Sequence, residues 1–157
     1  MTMGLKFVWE ENYTVGNPKL DDQHKGILEM ANQLPEVADG RDTRSIIMQL
    51  YKYVREHFFH EEKMMKSINF PLISEQQLLH ENFITELNNI SSEPIDSDER
   101  LHTLKKFIYD WLINHIMYED KKYFQFSREQ AKTASNKSDA SDGKKQRCAT
   151  KCKITGI

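Results

Sequence analysis

Four segments of this 157-residue chain carry an apolar residue at every third or fourth position. That spacing matches the turn of an α-helix and predicts four amphipathic helices. Each would be marginal alone, so each must bury its apolar stripe against the others. The sequence therefore predicts an all-α fold, an antiparallel up-down-up-down four-helix bundle with an irregular N-terminal arm before it. The four stripes are Leu20 to Leu34, Ile47 to Met64, Ile73 to Ile90 and Leu101 to Tyr118.

Short polar side chains mark where two of these helices should begin. Asp42 or Thr43 is placed to cap the second helix, and Asp96 or Ser97 is placed to cap the fourth. The irregular arm has an indole, Trp9, which we expect to anchor it over the bundle.

The charge of the chain divides it into two parts. The net charge of −2 combines an acidic stretch, residues 1–126 at −7, with a basic stretch, residues 127–157 at +5. The basic stretch has no aromatic residue and cannot bury enough apolar surface to offset its ordering entropy. We therefore expect a folded domain over residues 1–126 and a disordered tail or linker over residues 127–157. An acidic folded domain does not favour nucleic-acid binding.

The sequence also bears on the compartment of the protein. It has no apolar run long enough to span a membrane and no apolar region near its start of the kind that directs secretion. Its two cysteines, Cys148 and Cys152, cannot build a disulfide framework and are expected to be inert thiols. These features predict a cytoplasmic protein.

Polar residues on the predicted core stripes are the most informative feature. A single buried histidine is usually a hydrogen-bonded core residue, but a buried glutamate costs several kcal/mol unless it is paired or bound to a cation. Every predicted helix contributes at least one such residue, which favours a metal site on the axis of the bundle. The six residues are His24, His57, Glu61, Gln76, His80 and His115.

The spacing of these residues supports a shared centre. His57 and Glu61 are four residues apart, as are Gln76 and His80, so each pair lies on one face of its helix. The candidate ligands exceed what one tetrahedral zinc ion needs. Two metal ions that share bridging carboxylates would account for all of them, and imidazole with carboxylate suits iron among other metals.

The fourth helix offers two carboxylates. Asp120 is five residues after His115, which in a regular helix turns it well away from the histidine. Glu119 is four residues after His115 and is the better candidate on helical geometry. Both stay candidates at this point.

The chain resembles the hemerythrin family, and single-domain bacterial hemerythrins in particular, over about residues 7–126. The family pattern is a histidine in the first helix followed by HxxxE, HxxxH and HxxxxD. The matching segments here are FVWEENYTVGNPKLDDQHK, HFFHEEKMM, FPLISEQQLLHENF and WLINHIMYEDKKY.

The resemblance implies a non-haem di-iron centre (Fe2+/Fe3+) with an oxo or hydroxo bridge. It favours Asp120 over Glu119. His24 and His57 would hold one iron, and His80 and His115 the other. Glu61 and Asp120 would bridge the two irons.

The resemblance also implies function. It implies O2 binding for storage, delivery or sensing, with NO and peroxide as further candidate ligands and no catalytic side chain. Trp111 and Leu112 would wall the O2 pocket. His60 and His102, which lie at the edge of a stripe and on the polar side of a helix, are expected at the surface from their positions alone. The tail could connect the domain to a fused or docked signalling partner, which would make the domain the sensor of a larger protein.

One residue departs from the family pattern, because HxxxH reads QxxxH here, with Gln76 in place of the first histidine. In one interpretation Gln76 is a weak ligand or hydrogen-bonds a metal-bound water, and reversible O2 binding persists. In the other, this iron gains an open position and the protein is a di-iron oxidase- or peroxidase-like enzyme.

Overall fold

The computed structural model describes residues 5–38 and 43–146, with side chains described as far as residue 136. Every regular element in these ranges is helical, which confirms the predicted all-α four-helix bundle. α2 packs against α1 and α3, and α3 packs against α4. A short 3-10 turn, Glu11–Tyr13, lies in the arm, and a π-helical turn, His115–Asp120, joins the last two helices. The helices are α1 (Pro18–Ala31), α2 (Arg44–Ser67), α3 (Ile73–Ser91), α4 (Asp98–Asn114) and α5 (Lys121–Gln146).

The helix starts follow local chemistry. The Asn17 side chain accepts hydrogen bonds from two backbone N–H groups of the first turn of α1, and Pro18 occupies the first helical position. Ser97 caps α4 in the same way, with its hydroxyl accepting from the N–H of Arg100. Thr43 directly precedes α2, although its side chain makes no capping hydrogen bond, and Asp42 lies outside the described residues.

The N-terminal arm is fixed to α1 and to the residue that follows this helix. The Asn32 amide pairs with the backbone N–H and C=O of Phe7, at 2.8 and 2.7 Å. Trp9 packs edge-on against Tyr13, with ring centroids 5.7 Å apart, and the Lys25 ammonium lies 5.1 Å above its indole. Trp9 therefore makes the anchoring contact expected of it.

α4, the π turn and α5 form one continuous helix that leaves the bundle. Among the residues with described side chains, Tyr123 and Phe124 are the last buried ones, and residues 128–136 are exposed. Residues 127–146, expected to belong to a disordered tail, are helical. The division of the chain at residue 126 stays a prediction, and Cys148 and Cys152 lie outside the described residues. None of the described helices is long and apolar enough to cross a membrane.

Candidate metal centre

The seven residues predicted on the bundle axis come together in the structure. All are buried, and none exposes more than 4% of its surface. α1 contributes one of them, α2 two and α3 two, and the π turn supplies its first and last residues. They are His24, His57, Glu61, Gln76, His80, His115 and Asp120.

The first of two ligand clusters joins α1 to α2. One ligand atom each of His24, His57 and Glu61 lies within 4.8 Å of the other two. The two imidazole rings meet edge to face, with centroids 4.8 Å apart. The Nε2 atom of His57 is 3.8 Å from Oε2 of Glu61. This arrangement could hold one cation.

The second cluster joins α2 to α3 and the π turn, and it shares Glu61 with the first. His80, His115 and Glu61 again bring ligand atoms within 4.8 Å of one another. The Nε2 atoms of the two histidines are 3.1 Å apart, and Oε2 of Glu61 lies 3.3 Å from that of His80. Because Glu61 belongs to both clusters, it can bridge two cations.

Asp120 also connects the clusters, with one oxygen on each side. Its Oδ2 is 3.2 Å from Nε2 of His24, and its Oδ1 is 3.1 Å from Nε2 of His115. The π turn makes this possible, since its wider i to i+5 repeat brings residues five apart onto one face. Glu119 lies at the edge of the site instead, where its side chain pairs with Lys122 at 2.9 Å. The geometric preference for Glu119 assumed a regular helix and is wrong.

The buried polar atoms of the site test whether cations fit there. Both nitrogens of His24, both carboxylate oxygens of Glu61 and of Asp120, and Oε1 of Gln76 are buried without a hydrogen-bond partner among the described residues. Buried polar atoms without hydrogen bonds are costly, and these atoms converge on common points. Cations held between imidazole nitrogens and carboxylate oxygens would satisfy them, and this donor set suits iron. The residues present fit two metal ions.

The carboxylates and histidines also perturb one another electrostatically. Burial lowers the pKa of His57 to about 4, despite Glu61 beside it. Burial alone would also lower the pKa of His115, but Asp120 and Glu61 together raise it to about 10. Burial opposes ionisation of Asp120, yet the neighbouring His115 holds the pKa of that carboxyl well below its usual range. Without metal, the site therefore contains a neutral His57 and a charged pair of His115 and Asp120.

Residues 15–127 match the family model of the hemerythrin HHE cation binding domain. The chain belongs to the hemerythrin family.

Relatives within the family cover most of its length. A bacteriohemerythrin of Clostridium acetobutylicum is 29% identical over an alignment of 126 residues, which covers 74% of this chain and 98% of that protein. A myohemerythrin of Theromyzon tessulatum is 30% identical over 117 residues, covering 74% and 90%. A hemerythrin-like protein of Naegleria gruberi is 29% identical over 122 residues, covering 78% and 94%.

Two histidines of this hemerythrin domain are held from behind by side chains that sequence reasoning missed. Oε1 of Gln23 lies 3.0 Å from Nδ1 of His57, and Oε1 of Glu62 lies 2.9 Å from Nδ1 of His80. Gln23 and Glu62 are each next in sequence to a predicted ligand and sit half-buried at the edge of their stripes. Helical periodicity gives no signal for them.

Aromatic rings cover the His80 and His115 side of the candidate metal centre. Phe58 stacks on His80 with centroids 3.9 Å apart, and Trp111 stacks on His115 at 4.4 Å. Leu112 is buried nearby. The role of Trp111 and Leu112 as walls of an O2 pocket stays a prediction.

A surface groove of about 560 Å³ reaches His115 from outside the bundle. Its lining comes from α3, α4 and the π turn. The lining residues are Leu79, Phe107, Asp110, Trp111, Asn114, His115, Tyr118 and Glu119.

The remaining histidines and Gln76 behave differently from one another. His102 is exposed, as expected, whereas His60 is half-buried, with Nδ1 3.4 Å from the amide nitrogen of Gln23. Gln76 is buried on the axis, and its amide nitrogen makes a long contact of 3.5 Å with Oε2 of Glu119. Its unpartnered Oε1 is therefore available as a weak ligand or as a hydrogen-bond acceptor.

Proposed function

We propose that this chain binds O2 reversibly at a non-haem di-iron centre. The observation that carries the proposal is the pair of buried clusters that share Glu61 and are joined by Asp120. Membership of the hemerythrin family supports it, as do relatives described as bacteriohemerythrin and myohemerythrin.

The proposal gives each residue of the site a role. His24 and His57 would hold one iron, His80 and His115 would hold the other, and Glu61 and Asp120 would lie between the two and offset their positive charge. Two ferrous ions held in this way would supply the electrons that O2 takes up on binding. The ligands come from all four helices, so they fix the metal positions through the packing of the bundle.

The aromatic cover supports a binding protein. Phe58 and Trp111 lie flat against two of the candidate ligands and cover one face of each imidazole ring, which limits contact with water there. Exclusion of water slows loss of bound O2 through side reactions. Glu119 lies at the surface, where its carboxylate accepts a hydrogen bond from the ammonium group of Lys122.

The test is anaerobic reconstitution with ferrous iron, followed by cycles of O2 addition and removal. We expect two irons per chain by elemental analysis and a coloured oxygenated form that disappears when O2 is removed. A His80→Ala variant should lose one iron and the colour. One iron in the unaltered protein, or a colour that O2 removal does not reverse, would contradict the proposal.

A di-iron oxidase- or peroxidase-like enzyme is the second candidate. The buried amide of Gln76 supports it, because an amide oxygen is a weaker donor than imidazole and leaves that iron less saturated. The groove that reaches His115 would admit a small oxidant. Turnover of peroxide with a reducing dye, lost on Gln76→His substitution, would establish the enzyme, and absence of turnover in the iron-loaded protein would exclude it.

Among the roles open to an O2-binding protein, sensing is favoured by the last helix. His115 and Asp120 lie at the two ends of a π turn, and the same helix continues outward through α5 to Gln146. A change in metal coordination is therefore directly connected to a segment outside the bundle, where a fused or docked signalling partner could detect it. Hydrogen exchange of residues 127–136 with and without O2 tests this. Equal exchange would favour storage or delivery.

A further inference from the structure

We propose that Glu62 is a positioning residue that makes His80 a stronger metal donor and so offsets the weak amide of Gln76 on the same half of the site. The inference rests on the metal centre described under the proposed function. Glu62 is outside the set of proposed ligands, and it contacts the histidine that lies on the same half of the site as Gln76.

The two halves of the site are supported by different chemistry. On one half, the neutral amide oxygen of Gln23 lies 3.0 Å from Nδ1 of His57. On the other, a carboxylate oxygen of Glu62 lies 2.9 Å from Nδ1 of His80. Each contact makes Nδ1 the donor and leaves Nε2, which faces the cluster, free to bind a cation.

A carboxylate does more than an amide in this position. A hydrogen bond from Nδ1–H to a charged oxygen is shorter and stronger than one to a neutral oxygen, and it raises the basicity of the ring. Among the described residues, His80 is the one histidine of the site whose Nδ1 lies against a carboxylate. The carboxylate therefore strengthens this histidine selectively.

Glu62 is itself held in place. Gln77 donates from its amide nitrogen to Oε2 of Glu62 at 2.9 Å, while Oε1 faces His80. The side chain of Glu62 keeps 22% of its surface exposed, so it is only partly removed from water. Phe58, stacked on His80 with an interplanar angle of 4°, fixes the plane of the ring.

The position of Gln76 explains why the stronger donor belongs here. Gln76 is one helical turn before His80 on α3, and it is buried with an unpartnered Oε1. Where the HxxxH pattern would offer this metal an imidazole, the chain offers an amide, which is a weaker donor. A more basic His80 returns electron density to the same metal ion.

The test is a double-mutant cycle on metal retention, with Co2+ as the probe so that it does not depend on O2. Glu62→Gln keeps the shape and the acceptor oxygen but removes the charge. We expect this change to weaken retention of one of two Co2+ ions by roughly 10- to 100-fold. In the Gln76→His background the same change should cost less than about threefold. Competition with a chelator measures both.

A control on the other half separates compensation from general loosening. Gln23→Leu should weaken retention of one Co2+ ion by the same factor whether residue 76 is Gln or His. Glu62→Gln should also shift the visible Co2+ spectrum and raise the iron reduction potential, which a purely structural role would not do. The melting temperature of the metal-free protein reports on folding.

Two outcomes would overturn the inference. An equal loss from Glu62→Gln in both backgrounds would refute compensation for Gln76. Unchanged retention, spectrum and potential would refute the positioning role. Failure of the proposed function differs from both, because it would appear in the unaltered protein as absence of two metal ions or of reversible O2 binding.

Discussion

Asp120 reaches across the bundle to His24, and its Oδ2 lies 3.2 Å from Nε2 of that histidine. The two residues come from the last and first helical segments of the bundle, 96 positions apart in sequence. The other oxygen of Asp120 faces His115. One carboxylate therefore connects the first and last helices of the bundle and contacts both halves of the candidate metal centre.

Replacement of Asp120 by asparagine should break this coupling. The substitution keeps the shape but removes the negative charge between two buried histidines. We expect iron content to fall from about two ions per chain to about one or fewer. Elemental analysis after anaerobic reconstitution measures it. The matched control is Glu119→Gln one position earlier, which should retain both ions, and equal losses in the two variants would contradict the assignment of Asp120.

Removal of the metals should lower the stability of the bundle. Seven buried polar atoms of the site have no hydrogen-bond partner among the described residues, and cations would satisfy them only in the folded state. We expect chelation to reduce the melting temperature by several degrees or more. Calorimetry of the loaded and chelated protein measures this, and identical melting temperatures would show that the metals do not support the fold.

Metal binding should release protons in a way that identifies His115. Its pKa in the metal-free protein is about 10, so near pH 8 it carries a proton that it must lose in order to bind a cation. We expect release of about one proton per chain from this residue, and affinity that rises with pH up to that pKa. His57, with a pKa of about 4, is already neutral and should release none.

Titration calorimetry in two buffers of different ionisation enthalpy measures this release. The signal should disappear in His115→Gln, which removes the protonated ring. It should persist in His57→Gln, which removes a ring that is neutral near pH 8. The reverse pattern would show that the proton comes from elsewhere.

Restoring a histidine at position 76 should prolong the life of the oxygenated protein. A Gln76→His variant would saturate the metal on that half and exclude water and anions from it. We expect decay of the oxygenated absorbance to slow by roughly tenfold, the lower end of what one change beside a metal produces. Equal lifetimes at one pH would show that the amide of Gln76 already occupies its position well.

The helices and most of the site could be predicted from sequence because both follow the same periodicity. When the apolar residues of a stripe must be buried, the polar residues on the same stripe must be buried too. This reasoning predicts that His24 and Glu61 are buried, as they are. The N-cap at Ser97 was recognisable for a local reason, since its hydroxyl serves the first turn of its own helix.

The parts that could not be predicted depend on tertiary packing or on departures from a regular helix. Glu62 and Gln23 act through histidines on neighbouring helices, so no spacing within their own helices reveals them. The choice of Asp120 over Glu119 depends on the π turn, which a regular-helix periodicity cannot contain. Family resemblance supplied that choice where geometry failed.

The π turn has a consequence for the whole last helix. Six of its buried residues follow one another at intervals of four positions, and each such step overshoots a helical turn by about 40°. Over the full run the overshoot reaches about 200°, which in an unbroken α-helix would put the first and last of these residues on opposite sides. The extra residue of the π turn reduces this accumulated rotation by about 100°. The residues are Leu104, Ile108, Leu112, Ile116, Asp120 and Phe124.

The rotation of the helix between His115 and Asp120 thus sets two things at once. It sets the position of the carboxylate, and it sets which residues near the end of the helix are buried. Loss or gain of one residue between His115 and Asp120 would turn everything downstream by about 100°. Such a turn would withdraw the carboxylate from its histidines and carry Tyr123 and Phe124 out of the core in the same motion. The end of the last helix can therefore stay buried only if His115 and Asp120 stay five residues apart, which is also the interval that brings both to the candidate metal centre.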